Sequence, residues 1–451
     1  MHPAFRGRAR VWTPTSAAAL AVALLAACSG GSTHPPPTSA TPATAAGAIA
    51  TSPPSSAGGA TSSTVASAPS AAPDIVVEGV VTLKNHPDAD VGFEARVNRF
   101  DKAGGLNGRM IRFLGVKDDG LDSNQDLTVV QQMVDRDHVF AVAPVVSEAM
   151  LAPSAAFLAQ AHVPAFGWGT SAAFCALGRA TTAAGLSWDG CQINPAYQSD
   201  ADLADIEHVT GLPAAQIKLA VVGQDLDADK SMVQALSGLA TAKGMQVVYQ
   251  SNAISATGQT NYAPIVQAIL AAGPNVVYEV TDFAGSVALA GVLQGTGYTG
   301  AIFNRVAYAP ATVSSQSDVA STLNGVYVEA PYPVNEDAGD AAVTQMQADL
   351  QAIGKPGQVD LANAIGYWAA DIFIQLLQAA AARGVALTPQ ALIDTAAGGW
   401  TYHGAAGGPG DLAFPAPGWS RPDGCSTLVQ LNGTTYKEVE PYTCRPVTKV
   451  G

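Results

Sequence analysis

Polar side chains of the kind that bind small molecules directly follow several predicted strands. Ser147 and Thr170 each follow an apolar run in the first half of the chain, and Asp282 and Arg305 follow two more in the second half. A hydroxyl beside the free NH groups of a helix start binds a carboxylate or another acceptor-rich group, and a carboxylate binds an ammonium. Trp168 lies two residues before Thr170, where it could add an apolar wall. The pattern predicts a binding site.

Each of these side chains also has a structural alternative. Ser147 and Asp282 could serve only as N-caps of the helices that follow them. Trp168 could be a core residue, and Arg305 could form a surface ion pair instead of holding a ligand. The sequence alone leaves these alternatives open.

Motifs of the common enzyme classes are absent from the sequence. It contains no G-x-S-x-G, H-E-x-x-H, P-loop or C-x-x-C motif, and its histidines have no metal-ligand spacing. Residues 225–229 begin like an EF-hand loop, but Lys230 replaces the required glycine and Leu236 the required glutamate. We therefore expect residues 225–229 to be a solvated helix start, and the protein to be a non-enzyme without cofactor or metal.

The elements that must position these side chains are predicted most clearly within residues 91–150. Apolar residues at helical spacing between Val91 and Phe100 predict an amphipathic helix, which two glycines and an Asn-Gly pair end at 103–108. The prediction continues with a strand over 110–116, a helix around 127–134, a strand over 139–142 and a third helix after Ser147.

A second alternating series of strands and helices begins at residue 217 and resumes after residue 326. Two such series imply two lobes, each built on a mostly parallel sheet. The length from Asp74 onward also exceeds what one hydrophobic core usually holds. Near the C-terminus, a short antiparallel pair is predicted for 427–431 and 435–439.

This order of elements resembles the type I periplasmic solute-binding proteins, the leucine/isoleucine/valine-binding-protein family. The resemblance rests on the glycine turn at 98–109, the pair Asp118-Asp119, the run 137–142 and Ser147. It implies an α/β fold of two lobes with a ligand cleft between them. The implied lobes are residues 74–195 plus about 331–398 for lobe 1, and about 196–330 plus about 399–451 for lobe 2.

The resemblance also implies a function. Members of the family capture a small polar molecule, such as an amino acid or amide, by lobe closure and deliver it to an ABC transporter permease. They use hydroxyl residues at the positions of Ser147 and Thr170. The loop at 83–88 is shorter than is common in the family, so the ligand stays open. A sensory or scaffold protein of the same fold is the alternative.

The N-terminus has the features of an export signal. Residues 1–27 combine three arginines with an apolar run too short to span a bilayer, and residues 25–28 (Leu-Ala-Ala-Cys) resemble a bacterial lipobox. That resemblance implies cleavage before Cys28, acylation of Cys28 and a place on the outer face of the cell membrane. An ordinary secretory signal with a chance cysteine is the alternative.

Composition limits the rest of the mature chain. Residues 28–73 consist almost wholly of Ser, Thr, Ala, Gly and Pro, which cannot build a core, and as a flexible coil they would extend roughly 35 to 40 Å. Loss of the three signal arginines changes the formal net charge from −14 to −17. Such an acidic protein repels phosphate backbones, which argues against nucleic acid as a partner.

Four cysteines remain in an oxidising compartment once Cys28 is acylated, so two disulfides are expected. We favour Cys175 with Cys191 and Cys425 with Cys444, because each pair closes a short loop in a segment without predicted regular structure. Free buried thiols are the alternative.

Overall fold

The periodic segments of the sequence fold into two sheets covered by helices. The computed structural model describes residues 73–150, 152–175, 184–337, 339–355, 357–404 and 410–450. The predicted signal peptide at 1–27, Cys28 and the predicted linker up to residue 72 lie outside the described residues.

Strands and helices alternate along most of the described chain. The strands are β1 (Ile75–Val81), β2 (Ile111–Asp118), β3 (Ala141–Val146), β4 (Ala165–Gly167), β5 (Gly185–Ser187), β6 (Tyr197–Ser199), β7 (Lys218–Gln224), β8 (Gln246–Ile254), β9 (Val276–Val280), β10 (Ala301–Asn304), β11 (Tyr327–Ala330), β12 (Trp400–Tyr402), β13 (Leu412–Phe414), β14 (Cys425–Asn432), β15 (Thr435–Cys444) and β16 (Val447–Lys449). The helices are α1 (Ala89–Lys102), α2 (Ser123–Asp135), α3 (Ala152–Ala161), α4 (Ala201–Thr210), α5 (Asp227–Ala242), α6 (Ala263–Ala272), α7 (Phe283–Gly295), α8 (Pro310–Ser315), α9 (Ser317–Leu323), α10 (Ala341–Ala352), α11 (Leu361–Ala382) and α12 (Pro389–Ala397).

The first sheet belongs to lobe 1 and has five strands in the order β2-β1-β3-β4-β5, all of them parallel. Apolar side chains from both of its faces pack against helices, so a central strand such as β3 is buried along its whole length. Because the strands are parallel, the loops after β1, β3 and β4 lie at one edge of the sheet.

The second sheet belongs to lobe 2 and has seven strands in the order β15-β14-β11-β10-β9-β7-β8. Strands β7 to β11 are parallel, whereas β14 pairs antiparallel with β11 and with β15. The two sheets confirm the α/β fold that the sequence predicted. The β14–β15 hairpin agrees with the antiparallel pair predicted near the C-terminus.

One predicted lobe boundary is wrong. Residues from about 399 onward were assigned to lobe 2, but β12 and β13 pack on lobe 1, where the Tyr402 hydroxyl donates to Asp371 of α11 at 3.0 Å. The indole NH of Trp419 donates to the carbonyl of Gly185 on β5, also in lobe 1. The chain therefore enters lobe 2 for the last time between Trp419 and β14. The sequence missed this because short strands without periodicity depend on tertiary contacts.

Helix α11 forms the centre of lobe 1. Gly92 of α1 and Gly366 of α11 allow the two helices to touch, because a Cβ on either glycine would lie 1.8 Å from a backbone oxygen of the other helix. Among the described residues, α11 alone is long and apolar enough to span a membrane. However, 78% of its most apolar window is buried in the protein, as in a core helix.

Two disulfide bonds are present among the described residues, and they join the pairs that the sequence favoured. Cys175 is bonded to Cys191 in the segment around β5, and Cys425 is bonded to Cys444. The second bond joins directly opposed residues of the β14–β15 ladder.

Candidate functional site

A cavity of about 310 Å³ lies between the two lobes. On the lobe 1 side it is lined by the loops after β1, β3 and β4 and by the start of α11. On the lobe 2 side it is lined by the segments that follow β7, β9 and β10. The carboxyl ends of parallel strands are the usual place for ligands in open α/β sheets.

Thr170 and Trp168, two of the residues predicted to bind the ligand, lie in the loop after β4 and line the cavity. Thr170 is 6% exposed, and its Oγ1 has no hydrogen-bond partner among the described residues. A buried polar atom without a partner is costly, so this hydroxyl is available to a ligand. The Trp168 ring packs edge-on against His86, with 5.6 Å between ring centroids.

Ser147 does not line the cavity. It directly follows β3, and its Oγ accepts hydrogen bonds from the backbone NH groups of Ala149 at 3.1 Å and Met150 at 3.0 Å. Helix α3 begins only at Ala152, so Ser147 stabilises the turn before the helix and is not its N-cap. The Ser147 hydroxyl thus has a structural role, but in this turn and not as the N-cap that the sequence suggested.

Asp282 caps a helix and also lies on the cavity, so its position is compatible with both roles that the sequence left open. It is the N-cap of α7, and its Oδ1 accepts a hydrogen bond from the NH of Gly285 at 2.6 Å. Asp282 also lines the cavity, so its carboxylate lies at the N-terminus of α7, where a ligand can reach it.

Arg305 follows β10 and lines the cavity. Burial works to lower the pKa of Arg305, but the charge of Asp202 and the neighbouring Glu329 and Asp189 raise it on balance, so the guanidinium stays charged. The ion pairs made by arginines of the described chain belong to Arg96, Arg99, Arg136 and Arg445. The surface ion pair considered for Arg305 is therefore not present in the described part of the molecule.

Glu148 and His86 are cavity residues that sequence reasoning missed. His86 Nε2 lies 2.9 Å from Glu148 Oε1, and Glu148 Oε2 is buried without a partner in the described residues. Burial works to raise the pKa of Glu148, but the charge and hydrogen bond of His86 lower it overall. Glu148 is thus an anion beside the cavity. Its place directly after Ser147, at a strand end, was the available signal.

Asp229 contradicts the expectation of a solvated helix start at residues 225–229. It lies in the first turn of α5 and lines the cavity, and its Oδ2 is buried without a partner in the described chain. Burial raises the pKa of Asp229 well above its usual value, and the charges of Glu148 and Asp282 raise it further. The protonated, neutral carboxyl is therefore favoured.

Glu279 on β9 is another carboxyl that the sequence did not indicate. It is 1% exposed and lines the cavity floor. Burial raises the pKa of Glu279 well above its usual value, although a nearby hydroxyl of Ser286 opposes the shift. Glu279 therefore favours its neutral form.

A buried hydrogen-bonded group lies where the chain passes between the lobes. The Tyr278 hydroxyl lies 2.8 Å from both Asp202 Oδ1 and Glu329 Oε2. One hydroxyl proton cannot serve two carboxylates, so the group also needs a proton on a carboxyl. Burial, together with the charge of Asp202, raises the pKa of Glu329 well above its usual value. Glu329 is the natural holder of that proton.

The chemistry of the site is that of binding. Its polar groups belong to both lobes, and within the described residues no group of three or more His, Cys, Asp or Glu side chains is arranged to hold a metal ion. A ligand in the cavity would touch both lobes at once.

Comparison with known proteins gives the family. The sequence profile of the periplasmic binding protein family matches residues 76–435, which is most of the chain. The chain belongs to the periplasmic binding protein family. This is a family of binding proteins and not of enzymes. No curated protein matches the chain.

Solved structures of the same fold agree with this assignment. A solute-binding protein of an ABC transporter from Rhodopseudomonas palustris, in complex with 4-hydroxybenzoate, has a TM-score of 0.64 and 16% identity, and the match covers 83% of this chain and 98% of that one. A second such protein from R. palustris, in complex with benzoate, has a TM-score of 0.63 and 16% identity over 82% and 98% of the two chains. A fatty acid ABC transporter substrate-binding protein from Thermomonospora curvata has a TM-score of 0.63 and 15% identity over 82% and 92%. At these identities the likeness concerns the fold.

Proposed function

We propose that this protein is an extracytoplasmic solute-binding lipoprotein that captures a small polar molecule by lobe closure and delivers it to an ABC transporter permease. The observation that carries the proposal is the cavity between the lobes, where the Thr170 hydroxyl is buried without a partner in the described chain. A buried polar atom without a partner destabilises the folded protein, and a ligand that pairs with it removes that cost.

Lobe closure follows from the distribution of contacts. Thr170 belongs to lobe 1, whereas Asp282 and Arg305 belong to lobe 2. A ligand that touches all three gains its full set of contacts only when the lobes are together. Binding then shifts the protein toward the closed form by the difference in affinity between the two forms.

The cavity suits a ligand with an apolar part and polar ends. Trp168, Phe283 and Tyr308 supply apolar surface, and the polar groups named above lie around them. An amino acid, an amide or a related compound of that size fits this description. The solved relatives bind benzoate and 4-hydroxybenzoate, which also combine an apolar ring with a polar end.

The membrane anchor belongs to the same proposal. Acylation of Cys28 would hold the protein on the outer face of the cell membrane, since more than one acyl chain anchors stably. Residues 29–73 would then act as a tether between the membrane and the lobes. Mass spectrometry of the native envelope protein tests this, and an unmodified Cys28 or an intact Met1 terminus would contradict it.

A thermal-shift screen against amino acids, amides, small acids and sugars tests the central function. A ligand that binds only the folded protein raises the melting temperature. We expect at least one compound class to do so, and to raise the melting temperature less in a Thr170→Val variant at the same concentration. If no compound raises the melting temperature and a signalling partner is captured instead, the sensory or scaffold function replaces this proposal.

A further inference from the structure

The cavity between the lobes carries more acid than base. Six carboxyl groups line it but only two lysine or arginine side chains, namely Asp88, Glu148, Asp229, Glu279, Asp282 and Asp360 against Lys84 and Arg305. The charge of Arg305 is already balanced in part by the nearby acids Asp202 and Asp189. Even with Asp229 and Glu279 in their favoured neutral forms, four carboxyl groups remain against these two bases, which favours a cationic group in the cavity.

Two of these carboxyls belong to different lobes and each has an unpaired buried oxygen. Glu148 Oε1 is held by His86 at 2.9 Å, which leaves Glu148 Oε2 without a partner in the described residues. Asp229 Oδ2, on the other lobe, is in the same condition. Both residues line the same cavity, and the charge of Glu148 raises the pKa of Asp229.

We propose, building on the function proposed above, that the ligand carries a cationic nitrogen that binds between Glu148 of lobe 1 and Asp229 and Asp282 of lobe 2, and that its binding releases a proton from Asp229. The nitrogen stays charged, and the proton of the Asp229 carboxyl passes to bulk water. The cationic nitrogen then forms ion pairs with carboxylates of both lobes, which holds the lobes together.

The Thr170 hydroxyl points independently to an organic ligand in this cavity. This hydroxyl is buried and has no partner among the described residues. It is a neutral group, so this observation does not depend on the charges of the carboxyl groups. The edge of Trp168 and the ring of Phe283 supply apolar surface for a carbon skeleton, and aromatic faces attract organic cations. The described carboxyls do not form a group that could hold a metal ion.

Proton release fixes the direction in which affinity for the cation changes with pH. The charges of Glu148 in the loop after β3, Asp282 at the start of α7 and Asp225 directly after β7 all favour the protonated form of Asp229. A bound cation favours its ionised form. Affinity for the cation should therefore rise with pH, between the pKa of Asp229 in the complex and its pKa in the free protein, by up to about tenfold per pH unit.

The first experiment compares small ligands that differ in charge. Leucine, leucinamide, isoamylamine, 4-methylpentanoate, lysine, putrescine, benzylamine and benzoate are tested by thermal shift at pH 7.5. We expect every compound that raises the melting temperature to carry an ammonium group. If a carboxylate without an ammonium binds as well as its amine counterpart, this inference is overturned while the proposed function stands. If no compound binds, this inference is overturned, and the wider screen described above decides the proposed function separately.

The second experiment uses calorimetry with the best ammonium compound in phosphate and in Tris buffer at pH 7.5. Wild type should release a proton on binding, seen as a difference in apparent enthalpy between the buffers. Asp229→Asn should abolish the release, and both Asp229→Asn and Glu148→Gln should weaken binding by about tenfold or more, the scale of a hydrogen bond to a charged group.

Asp227→Asn is the matched control, because Asp227 lies on the same helix, is exposed and pairs with Lys230. It should bind and release the proton as wild type does. Proton release is also measured on wild type alone, so the result does not depend on how well a variant folds. The inference fails if wild type releases no proton, or if Asp229→Asn binds within about twofold of wild type.

Discussion

Two hydroxyl side chains at neighbouring strand ends of lobe 1 have different roles. The Thr170 hydroxyl is unpaired in the described chain and lies on the cavity, whereas the Ser147 hydroxyl accepts two backbone NH groups in a turn. Both lie in loops after parallel strands, Ser147 directly after β3 and Thr170 three residues after β4. The direction of the side chain decides which one can bind a ligand.

This difference predicts opposite effects of removing the two hydroxyls. Thr170→Val should weaken ligand binding by about 1 kcal/mol or more, because a ligand group would lose its partner, while the melting temperature of the free protein stays the same or rises. Ser147→Ala should lower the melting temperature and leave affinity nearly unchanged. Calorimetry and thermal unfolding of both variants measure this. Equal losses of affinity in the two variants would show that Ser147 also contacts the ligand.

The buried carboxyl group of Asp126 should make the stability of the protein depend on pH. Burial raises its pKa from 3.8 to about 6, although the hydroxyl of Ser154 opposes the shift. The folded protein therefore holds this proton more tightly than the unfolded chain does. The stability that results is present below pH 3.8 and is lost as the pH rises to about 6.

Asp126→Asn removes that dependence, because an amide does not titrate. Relative to wild type, the variant should gain roughly 2 kcal/mol in its free energy of unfolding between pH 4 and pH 7.5. Urea unfolding of both proteins at the two pH values measures the change. A stability difference that is the same at both pH values would contradict it.

Four of the five residues that the sequence predicted for ligand binding lie on the cavity, and Ser147 does not. Thr170, Trp168, Asp282 and Arg305 all line the cavity, because a parallel strand delivers the next residue to the ligand edge of the sheet. Asp229 and His86 could not be predicted in this way. They meet the cavity only because two separate lobes face each other, and no pattern within one segment encodes that.

At the scale of elements, the contact between α1 and α11 depends on glycine. A Cβ on Gly366 would lie 1.8 Å from the carbonyl oxygen of Ala89, which is backbone and cannot move aside. Gly366→Ala should therefore lower the free energy of unfolding by about 1 to 3 kcal/mol or more, the usual cost of overpacking.

Gly295→Ala is the control for this prediction. Gly295 is the last residue of α7, and a Cβ there would meet nothing within 4 Å. Alanine is the better helix former by about 1 kcal/mol, so this variant should be as stable as wild type or more stable. Chemical denaturation of both variants provides the test. A Gly366→Ala protein as stable as Gly295→Ala would mean that the two helices can separate freely.

The predicted elements were those with strong periodicity or clear ends. The alternating strands and helices of lobe 1 appear where apolar spacing predicted them. Helix α4 was not predicted, because its buried acids Asp202 and Asp205 interrupt its apolar pattern. Helix α12 was also missed, although Thr388 caps it and Pro389 begins it, which is a usual helix start.

At the scale of the whole molecule, each lobe contributes groups that the other lacks. Lobe 1 provides Glu148 and Thr170, and lobe 2 provides Asp229, Asp282 and Arg305. The sequence implied two lobes through its two alternating series and its resemblance to a family. It could not give the last crossing between them, because that crossing follows strands of only three residues.

Small-angle scattering of wild type, with and without the compound that most raises its melting temperature, tests the account most directly. A ligand that pairs with groups of both lobes must favour the closed form, since it gains contacts only there. We predict that the radius of gyration falls on saturation, and that Thr170→Val needs more ligand for the same change. A radius of gyration that stays constant while the ligand binds would contradict binding between the lobes.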